Sequence, residues 1–165
     1  MGIDIPGGYT RIETPQMVVI TFDDASNWEN WDYYRYLFPL DGSRVNPNGC
    51  PIAMTVFVSN NYTELHARGM EIADHSYTHK NYRTNRAPYH VNLHSSWFKQ
   101  DFNLKAMDKF IQHLLTMDDV YITTVTKTLE WVKHPTPLSQ LKDFDPWKCN
   151  YKSNQEDDAI CWVET

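Results

Sequence analysis

Two adjacent carboxylates and two nearby histidines are the residues of this chain best suited to chemistry. Asp23 and Asp24 follow the apolar run 18–22, and His75 and His79 come further along the chain. One carboxylate and two imidazoles are ligands that hold a catalytic Zn²⁺, and the second carboxylate then remains to act as a base. These residue types therefore predict metal-assisted hydrolysis.

The elements around these residues predict that they meet at one edge of a sheet. Residues 18–22 are mostly apolar and partly β-branched, which is typical of a buried parallel strand. The two histidines follow a second apolar run at 70–73, and a helical i,i+4 spacing would put both imidazoles on one face. Parallel α/β folds carry their active sites where the strands end. Because neighbouring strand residues project to opposite sides, only one aspartate is expected to bind the metal.

Each motif alone also fits a structural role. An Asp-Asp pair at a strand end often forms a turn or caps a helix, and an HxxxH pair often consists of two solvated histidines. Here both motifs occur in one short chain, each directly after an apolar run. Their combination favours the metal site.

The two motifs resemble the first two motifs of the polysaccharide deacetylases, TFDDA at 21–25 and HSYTH at 75–79. The surrounding sequence is more similar still to the animal chitin deacetylases, and the similarity covers almost the whole chain. It runs through the segments IPGG at 5–8, ETPQM at 13–17, NPNGC at 46–50, FVS at 57–59, NRAPY at 85–89, HSSWF at 94–98 and DVY at 119–121.

The resemblance implies a role for each candidate residue. It makes Asp23 the general base and His94 the general acid. The metal ligands that it implies are Asp24, His75 and His79. The metal is then Zn²⁺ or another divalent ion such as Co²⁺, because Asp and His ligands suit several ions.

The resemblance also implies a substrate and a location. Enzymes of this family remove acetyl groups from the N-acetylglucosamine units of chitin and release acetate, so chitin or its oligomers are the expected partner. Trp97 lies three residues after His94 and is the candidate to stack on a sugar ring. The resembled enzymes are secreted, so an extracellular location is expected, although this chain does not start with the basic and apolar parts of a signal peptide.

Two parts of the family pattern are missing from this sequence. One is an Arg-Pro motif whose Arg orients the base, and the other is a motif that lines the substrate groove. The segment 81–88 follows HSYTH directly and resembles the sequence before the fifth motif. Arg86-Ala87-Pro88 superficially resembles the third motif, but its spacing to His94 argues for the fifth. No residue is therefore assigned as the base-orienting Arg.

These departures leave three functional readings open. The first is a metal-dependent hydrolase of N-acetylglucosamine units, which the four intact metal and base positions favour. The second is a catalytically inactive chitin-binding or matrix protein, because an unoriented base and an unfinished groove would slow catalysis severely. The third is a fragment of a longer chitin deacetylase.

The order of elements predicts an α/β fold with parallel strands and crossover helices. Strands are predicted at 17–22, 52–59 and 119–126, with a shorter one at 70–74, and helices at 28–38, 63–68, 98–116 and 125–133. A closed (β/α) barrel takes about 250 residues, whereas this chain has 165. We therefore expect a partial barrel of the polysaccharide deacetylase type that is too short to close.

Composition and charge limit the class of protein to which the chain can belong. With 41% hydrophobic residues the chain is globular, and its net charge of −6 argues against a nucleic-acid partner. No apolar run approaches the about 18 residues of a membrane span. We predict a truncated catalytic domain at 1–133 and a surface-wrapping extension with prolines and cysteines at 134–165. A disulfide joins either Cys149 to Cys161 or Cys50 to this extension.

Overall fold

The computed structural model describes residues 4–23, 31–39, 41–57, 71–73 and 86–149. Within these ranges the chain forms a parallel sheet with helices on both faces. Its strands are β1 (Gln16–Asp23), β2 (Thr55–Phe57), β3 (Glu71–Ala73), β4 (Tyr89–His94) and β5 (Val120–Ile122). Its α-helices are α1 (Trp31–Leu37), α2 (Asp101–Leu114) and α3 (Val125–Lys133), and short 3-10 helices occupy Pro6–Gly8, Ser95–Lys99, Leu138–Asp143 and Asp145–Trp147.

Strand β1 is the centre of the sheet, and all of its neighbours run parallel to it. β4 pairs along one edge of β1, from Val18 to Asp23. Val18 pairs with both Tyr89 of β4 and Ile122 of β5, so β5 must lie on the opposite edge. β2 shares that edge near the end of β1, and β3 pairs with β2. The described strands thus form an open sheet that does not close into a barrel.

The main core lies on the face of β1 that carries Val18, Ile20 and Phe22, because alternate strand residues point to the same side. Helices α1 and α2 cover this face. The Phe22 ring is fully buried, and its centroid lies 5.0 Å from that of Tyr34 and 5.6 Å from that of Phe98. This packing fixes the central strand on which the candidate site depends.

A second core lies on the opposite face and includes residues after α3. Its buried members are Met17, Tyr121, Trp131, Leu141, Phe144 and Trp147. The Trp131 indole donates to the carbonyl of Thr136, and the Trp147 indole donates to that of Lys127, both at 2.8 Å. Residues 134–149 therefore pack onto the sheet, and Trp131 and Trp147 are core residues. The division at residue 133 stays a prediction.

The predicted elements agree with the structure in type but not always in extent. The helix expected at 125–133 is α3, with the same bounds. The strand expected at 119–126 was predicted too long: it ends at Ile122, because the Thr124 side chain then caps α3 by accepting from the Lys127 N–H. The helix expected at 98–116 is a 3-10 helix and α2, separated by the extended residue Gln100. The helix expected at 63–68 lies outside the described residues.

Strand β4 is an element that the sequence analysis missed. It covers Tyr89–His94 and forms the longest pairing of β1. The alternation of His90, Asn92 and His94 with apolar residues is the period-2 signal that would have identified it. None of the helices within the described ranges is both long and apolar enough to cross a membrane.

Candidate active site at the carboxyl end of the sheet

Four parallel strands end side by side at one edge of the sheet. Asp23, the last residue of β1, pairs in register with Phe57 of β2 on one side and with His94 of β4 on the other. Phe57 in turn pairs with Ala73, the last residue of β3. This edge is where parallel α/β folds place their reactive groups, as the sequence predicts.

Asp23 and His94 are neighbours at this edge. As register partners on adjacent parallel strands, their side chains project from the same face, with backbones about 4.8 Å apart. The Asp23 side chain is buried, with 4% of its surface exposed, whereas His94 is exposed. The structure therefore brings together the two residues that the resemblance made base and acid.

A row of polar side chains leads along this face to Asp23. The Asn92 Nδ2 donates to Asp23 Oδ2 at 2.9 Å. The Thr21 hydroxyl donates to Asn92 Oδ1 at 2.9 Å and lies 2.7 Å from His90 Nε2. Thr21, Asn92 and His90 were missed by the sequence analysis because β4 was missed.

The predicted metal ligands Asp24, His75 and His79 lie outside the described residues. In the sequence Asp24 directly follows β1, and His75 is the second residue after β3. Among the described residues, no three His, Cys, Asp or Glu side chains are grouped so that they would hold a metal ion. The metal site remains a prediction.

Trp97 lies close to the same edge, on the 3-10 helix Ser95–Lys99 that follows β4. Its side chain is 38% exposed, and its ring packs against Phe98 with centroids 5.7 Å apart. Asn103 Nδ2 donates to the Trp97 carbonyl at 2.8 Å and so fixes this turn. Part of an aromatic side chain is thus exposed three residues after His94.

Arg86 lies at the opposite end of the sheet. It precedes β4, forms an ion pair with Asp119 just before β5, and donates through Nε to the carbonyl of Arg11. Since it is held at the amino ends of these strands, it is not placed to orient Asp23. Its position is therefore consistent with the spacing to His94, which places Arg86 before the fifth motif and not in the third.

The described residues thus define an α/β protein in which an aspartate and a histidine are register partners on adjacent strands, at the carboxyl edge of a parallel sheet. No family model matches the chain. Two silkworm proteins do: it is 49% identical over 84 residues to chitin deacetylase 1 of Bombyx mori and 46% identical over 83 residues to chitin deacetylase 8 of the same organism.

These matches confirm the closeness to animal chitin deacetylases for 47% of this chain in each case. The matching segment spans only 15% of chitin deacetylase 1 and 21% of chitin deacetylase 8. Within the matching half, the chain is therefore similar to these two chitin deacetylases.

Proposed function

We propose that this protein is a metal-dependent hydrolase that removes N-acetyl groups from the N-acetylglucosamine units of chitin or a related polysaccharide. The observation that carries the proposal is the register pairing of Asp23 with His94 at the carboxyl edge of the sheet. The similarity to two chitin deacetylases supports it. An extracellular location and an open sheet that represents part of the deacetylase barrel belong to the same proposal.

The metal in this proposal is Zn²⁺ or Co²⁺, with Asp24, His75 and His79 as its ligands. A carboxylate and two imidazoles fit either ion by ligand type. Asp24 follows β1, and the two histidines follow β3. The last residues of β1 and β3 are aligned through β2, so these strand ends lie two strand spacings, or about 10 Å, apart. A bound divalent ion would polarise the amide carbonyl and lower the pKa of water.

The protein's own residues supply the proton transfers. Asp23 accepts a proton from the water whose oxygen bonds to the acetyl carbon. His94 donates a proton to the glucosamine nitrogen as the C–N bond breaks, so that acetate and a free amine are released. Burial fixes the carboxylate, while exposure lets the imidazole reach a polymer outside the sheet. Trp97 offers its indole face to a neighbouring sugar ring.

One observation favours the alternative of a chitin-binding protein without turnover. Arg86, the arginine of the motif that superficially resembles the base-orienting one, is paired with Asp119 at the far end of the sheet. Arg86 therefore does not orient Asp23 in the way that the family's arginine orients its base. Binding and turnover must therefore be measured separately.

The test is acetate release from N-acetylglucosamine oligomers with added Zn²⁺, alongside binding to chitin beads. We expect His94→Asn and Asp23→Asn to lower kcat by about 100-fold or more. His113→Asn is the matched control, because His113 is exposed in the last turn of α2, away from the sheet edge. Equal losses in all three variants, or none in His94→Asn, would contradict the proposal. A folded wild-type chain that binds chitin but releases no acetate would establish the alternative.

A further inference from the structure

We propose that Asn92 is the positioning residue of Asp23, and that Thr21 and His90 fix the orientation of its amide. The inference rests on the proposed function, in which Asp23 is the base. It starts from the register of two strands. Thr21 is the register partner of Asn92, and Asp23 is the register partner of His94. The Asn92 side chain therefore contacts Thr21 directly across and Asp23 diagonally.

The contacts define a continuous chain of polar groups. The Asn92 amide nitrogen lies 2.9 Å from Asp23 Oδ2, and its oxygen lies 2.9 Å from the Thr21 hydroxyl. The hydroxyl lies 2.7 Å from His90 Nε2. Thr21 is fully buried, so water does not compete for its hydroxyl.

Only one arrangement of protons satisfies every contact. A carboxylate accepts hydrogen bonds and does not donate them, so the Asn92 nitrogen must face Asp23. Its oxygen then faces Thr21 and must accept the single hydroxyl proton. The Thr21 oxygen is left as an acceptor for His90, which must carry a proton on Nε2. Every donor in the chain therefore points toward Asp23, and bonds aligned in this way polarise one another.

This chain of hydrogen bonds gives the base a defined direction. A general base works only when its lone pair points at the reacting water, and small misplacements lower the rate strongly. The hydrogen bond from Asn92 Nδ2 fixes Asp23 Oδ2 against the neighbouring strand β4. If the amide were free to turn, its oxygen would face the carboxylate and repel it.

The kinetic test replaces Thr21, which contacts Asn92 and lies one residue pair away from the reacting edge. Thr21→Val keeps the shape but removes the hydroxyl, and we expect kcat for acetate release to fall about 10- to 100-fold. KM should stay close to its wild-type value, because substrate binding is not altered. Thr21→Ser restores the hydroxyl and should restore kcat. Equal rates in the Val and Ser variants would overturn the proposal.

A second measurement needs no activity. In ¹H–¹⁵N spectra of the wild-type chain, recorded where His90 is neutral, the imidazole proton should be on Nε2 and the Asn92 side-chain amide should exchange slowly with solvent. Thr21→Val should abolish both signatures, while Thr21→Ser keeps them. A proton on Nδ1 of wild-type His90 would refute the chain even if Thr21→Val failed to fold. An inactive wild type that shows both signatures would refute the proposed function and still support the orientation of Asp23 by Asn92.

Discussion

At the residue scale, Asp108 on α2 shows how one buried carboxylate holds three segments together. It forms an ion pair with Arg44, and it accepts hydrogen bonds from the Tyr36 hydroxyl at 2.9 Å and from Gln112 Nε2 at 2.8 Å. Burial raises the pKa of Asp108, but the hydrogen bonds and the charge of Arg44 outweigh it and leave this pKa below its usual range. The ionised carboxylate is therefore the stabilising form.

The first prediction is an acid-dependent loss of stability through Asp108. Because its folded pKa lies below the unfolded value of about 3.9, its contribution is complete above pH about 5 and is lost as the pH falls through the folded pKa. Asp108→Asn should lower the free energy of unfolding by about 3 kcal/mol at neutral pH, and by much less at pH about 2. Urea unfolding at both pH values measures this, with the exposed Asp4→Asn as the control. A loss that is equally large at both pH values would show that the charge does not matter.

Single residues also show how far sequence reasoning reaches at a site. Asp23 was predicted because adjacent carboxylates suit metal-assisted hydrolysis, and His94 was predicted from the family resemblance of its segment. The strand register places these two residues side by side. Asn92, Thr21 and His90 were not predicted, because their roles arise from a contact between strands that are far apart in sequence. Such contacts depend on strand register, which composition and spacing do not reveal.

At the element scale, the short strand β5 is completed by a side chain. The Ile122 N–H donates to Asn46 Oδ1 at 2.8 Å, and Asn46 Nδ2 donates to the Ile122 carbonyl at 3.0 Å. The amide thus mimics a neighbouring strand on the edge of β5 that faces away from β1. Asn46 is 8% exposed, so both backbone groups of Ile122 depend on it for their hydrogen bonds.

The second prediction follows from this cap. Asn46→Ala should lower the free energy of unfolding by about 2 to 4 kcal/mol, because it leaves two buried backbone groups without partners. The Ile122 amide should then exchange its hydrogen faster than the Tyr121 amide next to it. Denaturant unfolding and native-state hydrogen exchange measure the two effects. Gln140→Ala, which shortens an exposed amide, should change stability by less than about 0.5 kcal/mol. An Asn46→Ala protein as stable as this control would contradict the role of the cap.

The elements differ in how visible they are in the sequence. α3 was predicted with its observed bounds, and the structure shows that Thr124 caps its first turn. β4 was missed although its residues alternate, because every second residue is polar and none of the six is fully buried. A strand of this kind is stabilised mainly by its long pairing with β1, which is a tertiary contact.

At the scale of the whole molecule, the order of the elements predicted the α/β class, and the length of the chain predicted that the sheet does not close into a barrel. An open parallel sheet was expected from 165 residues, and the described strands form one. The position of the metal ligands remains a prediction because Asp24, His75 and His79 lie outside the described residues. The disulfide could not be chosen from the sequence, since the alternatives differ only in which cysteines meet in space.

The disulfide found, Cys50–Cys149, joins two distant parts of the chain. The two residues are 99 positions apart, and their Cα atoms lie 5.5 Å from each other, a spacing typical of disulfides. Asn48 supports the same junction: its Oδ1 accepts from the Cys50 N–H, and its Nδ2 donates to the Trp147 carbonyl. The link therefore fastens the segment after α3 to the loop that precedes β2.

The third prediction concerns this link and is a test by double-mutant cycle. Closing a loop of this length restricts the unfolded chain, so Cys50→Ser and Cys149→Ser should each lower the free energy of unfolding by about 4 to 5 kcal/mol. The double variant should be no less stable than either single one, because both remove the same bond. Denaturant unfolding with and without a reducing agent measures this, and reduced wild type should resemble the variants. Additive losses would mean that the two cysteines stabilise the protein separately, through packing, and that the bond itself contributes little.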